Sequence, residues 1–141
     1  MSNRDGFRFK ADPIRHLAHV RGDNAAVIFQ GRTTTYRQLD QRANQVANGL
    51  IGAGIKRGQR VAILAKNTDL FYELLYGATK IGAVLAPINF RLAPPEVSYV
   101  INDAQAPLLF VGEGYDDLIT GIGDELASVR QIISLHDGAY E

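Results

Sequence analysis

The sequence predicts an α/β fold: a mostly parallel sheet with flanking helices, built from βαβ units and preceded by a short helix and a β-hairpin. Three observations carry this reading. "RVAILA" is an apolar run without polar alternation, which suits a strand buried on both faces. "AVLAPI", "LLFV" and "QIISL" follow at intervals as further strands. The segments between them place apolar residues at helical spacing, and strands alternating with helices of about 10–15 residues imply parallel pairing through crossovers.

The elements follow in order. Asp12-Pro13 starts a helix, with Asp as cap and Pro in the first turn, where its missing N–H costs nothing. Ile14, Leu17 and Ala18 share a face, and Gly22 stops the helix. "AAVIF" and "RTTTY" flank a "QG" turn and form the hairpin. Thr35 with Gln38 fits a capping box, and Tyr36, Leu39, Ala43, Val46, Ala47 and Leu50 then recur at helical spacing. That helix ends in "GAG", with Gly52 or Gly54 in the left-handed position and Ile55 folding back. After "RVAILA", Asn67 or Thr68 caps a helix carrying Leu70, Leu74, Leu75, Ala78 and Ile81, which Gly82 closes. Beyond "AVLAPI", Pro94-Pro95 open a helix carrying Val97, Val100, Ile101 and Ala104. A weaker helix around Leu118, Ile122 and Leu126, loosened by Gly121 and Gly123, follows "LLFV". Nothing after "QIISL" covers the edge of that last strand. The expectation is a single partial domain over residues 1–141, the incomplete amino-terminal part of a larger one, with residues 1–11 flexible.

Bulk properties narrow the function. A chain of 141 residues, 46% hydrophobic and 21% charged, is long enough for a real core. Lys plus Arg and Asp plus Glu both number 15, so no basic excess points to nucleic acid. With no cysteine, disulfides, thiol catalysis and thiolate metal sites are excluded. No apolar run approaches the roughly 20 residues that span a bilayer, and the charged start lacks the apolar core of a signal peptide. A cytoplasmic location is expected.

Few residues suggest chemistry directly. The glycines of "GAGIKRGQR" lie between a helix and the strand after it, whereas a dinucleotide fingerprint lies between a strand and the helix after it. Gly54 reads as a helix cap and Gly58 as a turn residue. "FVGEGYDD" does follow a strand, but it offers only Gly112-x-Gly114 and puts Glu113, Asp116 and Asp117 where a phosphate would sit. Those carboxylates suit a helix start on their own account. His16 and His19 are three apart on a helix without a clear third ligand, and His136 is alone. No Ser-His-Asp set appears. No catalytic residue and no metal ligand is expected within the chain.

Arg91 is different. "APINFRLAPPE" places a cation just past a strand end, with no acidic neighbour within two positions. The guanidinium either lies over Phe90 or Leu92, pairs with Glu96, or holds a ligand outside the carboxyl end of the sheet.

The stretch from "TTTYRQL" through "GIKRGQRVAILAKN" and "TKIGAVLAPIN" resembles the start of an adenylate-forming enzyme, a superfamily of acyl- and aryl-CoA synthetases, luciferases and peptide-synthetase adenylation domains. The resemblance runs from about Ala25 to Val111. "PINFRL" is more similar to CoA ligases for fatty or aromatic acids than to amino-acid-activating domains. The resemblance implies an ATP-dependent acid–CoA ligase that forms an acyl-adenylate with Mg²⁺ and passes the acyl group to CoA. It also implies that Arg91 contacts a phosphate of CoA. The family's phosphate loop ending in Pro-Lys, its aromatic-Gly-x-Thr-Glu motif, its ribose-binding Asp and its late catalytic Lys are not in this sequence. The chain alone is therefore expected to be inactive, to bind no ATP, Mg²⁺ or CoA usefully, and to self-associate. The alternatives are a stand-alone α/β binding or scaffolding domain, or a segment of another adenylate-forming enzyme such as a peptide-synthetase domain.

Overall fold

The computed structural model describes residues 12–136 and 139–140. The segment 1–11, expected to be flexible, lies outside the described residues, as do the side chains of Asp12, His136, Ala139 and Tyr140. The described chain forms two compact units. One runs up to Arg57 and adds Thr68–Ala83; the other joins Gly58–Asn67 to the residues from Val84 onward.

The first unit contains α1 (Asp12–Val20), β1 (Ala25–Phe29), β2 (Arg32–Thr35), α2 (Tyr36–Gly52) and α3 (Leu70–Lys80). β1 and β2 pair antiparallel around Gln30 and Gly31, both at positive φ, as a two-residue hairpin turn requires. The capping box at the start of α2 is complete. Thr35 Oγ1 accepts from the Gln38 N–H at 3.3 Å, and Gln38 Oε1 accepts from the Thr35 N–H at 2.9 Å. At the other end Gly54 takes φ +79°, and the Ile55 N–H returns to the Leu50 carbonyl at 2.9 Å.

α3 begins differently from expectation. Neither Asn67 nor Thr68 caps it: the helix starts at Leu70 without a side-chain cap. Asp69, the residue at its threshold, gives its carboxylate to Arg32 of β2 at 3.1 Å instead. Two more ion pairs tie α3 to α2, Arg42–Glu73 at 2.8 Å and Lys80–Asp40 at 2.7 Å. Acids near the start of α3 and a lysine in its last turn also agree with the helix dipole.

The second unit contains β3 (Arg60–Leu64), β4 (Val84–Ile88), α4 (Pro94–Ala104), β5 (Leu108–Gly112), α5 (Asp116–Ile122), β6 (Gln131–His136) and β7 (Ala139–Tyr140). The sheet order is β4-β3-β5-β6-β7. β3–β4, β3–β5 and β5–β6 are parallel, as the apolar runs predict. The edge of β6, expected to be bare, is paired: β7 lies antiparallel to it, with Leu135 opposite Tyr140 and His136 opposite Ala139. "HDGAY" carries the Asp-Gly hairpin signal that the sequence reading passed over.

α4 opens with Pro94 and Pro95 in its first turn, and Glu96 reaches back to accept from the Ala93 N–H at 2.7 Å. It ends on Gln105 at φ +51°, a left-handed position filled without glycine. α5 is short and gives way at Gly123 to a single 3₁₀ turn. One face of the sheet, through Ala62, Leu64, Ile88, Leu109 and Val111, packs with Val97 and Ile101 of α4 and Ile119 and Ile122 of α5. Val61, Ile63, Leu108 and Phe110 alternate with these and are buried too, the two-sided burial expected of parallel strands.

Candidate functional site

Because β4, β3, β5 and β6 are parallel, their carboxyl ends share one edge of the sheet. The chain leaves β3 toward β4 on one side and β5 toward β6 on the other, so the order reverses between β3 and β5. Ligands of open parallel sheets sit outside the carboxyl ends, at such a reversal.

Between β3 and β5 the space is taken. A Cβ built on Gly112 would lie 2.6 Å from the Ala65 Cβ, so this glycine serves a close approach of two strand ends. The loop after it is acidic. Glu113 is exposed, while Asp116 and Asp117 occupy the first turn of α5. Asp116 Oδ1 also accepts from Ser134 Oγ at 3.3 Å. These residues do not fit a phosphate cradle, since close packing and carboxylates both oppose an anion.

The β4 side is open and cationic. Asn89 Oδ1 accepts from the Arg91 N–H at 3.0 Å, and the Asn89 carbonyl accepts from the Leu92 N–H at 3.1 Å. This Asx-type turn fixes the backbone beneath Arg91. The Arg91 side chain is exposed, with its guanidinium 5.6 Å from the centre of the Phe90 ring, a cation–π distance. Phe90 in turn meets Tyr115 from beyond β5, with ring centres 6.4 Å apart. Glu96, the other candidate partner, is engaged at the Ala93 N–H. The structure thus brings Asn89, Phe90, Arg91 and Tyr115 together. It also places an exposed lysine, Lys66, past the end of β3, a residue the sequence reading did not single out.

The other candidates stay apart from this edge. Gly54 and Gly58 take positive φ as cap and turn residues. His16 and His19 are exposed on α1, and among the described residues no cluster of three His, Asp or Glu is arranged to hold a metal. No helix among the described residues is long and apolar enough to cross a membrane.

Comparison with known proteins agrees with this architecture. Residues 14–140 match the AMP-binding enzyme family. A fatty acid–[acyl-carrier-protein] ligase of Streptomyces coeruleorubidus, ScoC, is 43% identical over 94 residues, which is 67% of this chain and 18% of that protein. A 3-hydroxybenzoate–CoA/4-hydroxybenzoate–CoA ligase of Thauera aromatica is 35% identical over 131 residues, 92% of this chain and 25% of that one. The solved N-terminal domain of FACL13 from Mycobacterium tuberculosis superposes with a TM-score of 0.82 at 32% identity, covering 94% of this chain and 35% of its own. The chain therefore spans about a fifth to a quarter of the length of these curated relatives.

Proposed function

Because the chain belongs to the AMP-binding enzyme family, we propose that it is the amino-terminal part of an ATP-dependent ligase joining a fatty or aromatic acid to coenzyme A. In the first half-reaction the acid's carboxylate attacks the α-phosphate of Mg²⁺-bound ATP, and pyrophosphate leaves. In the second, the CoA thiolate attacks the acyl carbonyl and AMP leaves.

The described residues suit only part of this scheme. The loop after β5 does not fit the phosphates of ATP, since Gly112 is packed against Ala65 and the loop bears Glu113, Asp116 and Asp117. Adenylation is not assigned to any of these residues, and the chain alone is expected to be inactive. The carrying observation is Arg91, exposed at the carboxyl end of β4 on a turn held by Asn89. A guanidinium so placed donates two hydrogen bonds to one phosphate without first giving up a carboxylate. Its role in this reading is to hold a CoA phosphate during thioester formation.

One relative favours a second reading. ScoC is named for transfer to an acyl-carrier protein, whose thiol arrives without the CoA nucleotide. Full-length enzyme carrying this chain, given a panel of acids with ATP and either CoA or a thiol-bearing carrier protein, separates the two. Acid-dependent AMP release with an acyl-CoA detected by mass spectrometry is the expected result. Transfer to the carrier alone selects the second reading, and the absence of any acid-dependent ATP–pyrophosphate exchange contradicts both.

A further inference from the structure

The charged groups at the carboxyl edge of the sheet are sorted by strand. We propose that Lys66 is a second cation acting with Arg91 on the phosphates of one ligand, a role that rests on the CoA reading of Arg91.

The placement comes from strand register. β3 and β4 pair through Leu64 and Ile88, so Lys66 lies two residues beyond the pairing on one strand and Arg91 three beyond on its neighbour. Neighbouring strands run about 4.8 Å apart. The two long side chains can therefore converge on one anion. Both residues are exposed, and neither forms an ion pair among the described residues. This contrasts with Arg32, Arg37, Arg42 and Lys80, each of which holds a carboxylate.

The loop beyond the next strand carries the opposite sign. Glu113, Asp116 and Asp117 follow β5, so the order β4-β3-β5 arranges the edge as cation, cation, acid. A multiply charged phosphate ligand is repelled from the β5 side and drawn to the two cations. Both mounts are held. Ala65 packs on Gly112 beside Lys66, and Asn89 binds the Arg91 backbone. The division of work follows from the side chains: Arg91 supplies a planar fork, and Lys66 a flexible point charge that follows whichever oxygens the fork leaves free.

The test uses full-length enzyme carrying this chain, with Lys66→Met, Lys66→Arg and Arg91→Ala measured in thioester formation. CoA is compared with pantetheine, a thiol acceptor without the nucleotide phosphates. Lys66→Met is expected to raise KM for CoA about 5- to 20-fold, to leave KM for pantetheine unchanged, and to be largely rescued by Lys66→Arg. An equal rise for pantetheine means that Lys66 acts through the fold, and overturns the proposal. If Arg91→Ala weakens CoA while Lys66→Met does not, the second cation is refuted and the reading of Arg91 stands. If neither variant changes KM for CoA, both fall.

Discussion

Gly77 of α3 faces Val46 of α2 with no room for a side chain: a Cβ built there would lie 2.5 Å from the Val46 Cβ and 3.0 Å from the Ala43 carbonyl oxygen. Val46 is buried and the carbonyl belongs to the α2 backbone, so neither yields easily. Gly77→Ala gains about 1 kcal/mol of helix propensity but forces the two helices apart. The net expectation is a loss of about 1–3 kcal/mol, read from urea unfolding. A stabilised variant would show that the helices are not in close contact here.

The Arg42–Glu73 pair joins α2 to α3 with a nearly buried carboxylate, its side chain 3% exposed. Arg42→Met leaves that charge without its guanidinium and is expected to cost about 1–3 kcal/mol. Replacing both residues by Met removes the buried charge and should recover part of the loss. Chemical denaturation of the two single variants and the double variant checks this. A double variant as unstable as the sum of its parents contradicts the coupling.

Tyr76 gives a pH dependence with a definite sign. Burial pushes its hydroxyl above the ordinary 10.0, with Tyr72 and Tyr36 adding to the shift. A raised folded-state value favours the neutral form, so the stabilisation is complete below about pH 10 and is lost as pH rises toward the folded value. Tyr76→Phe should show a shallower loss of stability above about pH 10 than the parent. Identical alkaline slopes would contradict the assignment.

The 141-residue chain by itself is expected to self-associate. Among the described residues β4 is an edge strand with no further strand paired on its outer side, and it exposes Val84 to 52%. Unpaired strand edges beside apolar side chains are templates for association. Sedimentation velocity over a concentration series should show growing mass. A constant monomer mass opposes it.

What the sequence revealed and what it hid divide by range. Thr35 with Gln38, and Pro94 with Pro95, act within one helical turn, so the starts of α2 and α4 were legible. The parallel strands were legible because burial on both faces leaves continuous apolar runs. The start of α3 was misread because Asp69 answers to Arg32, 37 positions away. β7 was missed because two paired residues leave too short a pattern. At the candidate site, Arg91 stood out by its position past an apolar strand. Lys66 did not, since its place on the strand next to the one that leads to Arg91 depends on the pairing of β3 with β4. Likewise Gly112 read as half of a weak glycine motif until Ala65 was seen against it.

The central claim is that Arg91 holds CoA and takes no part in adenylation. It is tested most directly by Arg91→Ala in full-length enzyme, with the two half-reactions measured separately. KM for CoA in thioester formation should rise about 5- to 100-fold, the effect of losing a hydrogen bond to a charged group. Acid-dependent ATP–pyrophosphate exchange should stay near the parent rate, and Arg91→Lys should restore part of the affinity. An equal loss in both half-reactions, or an unchanged KM for CoA, would contradict the account.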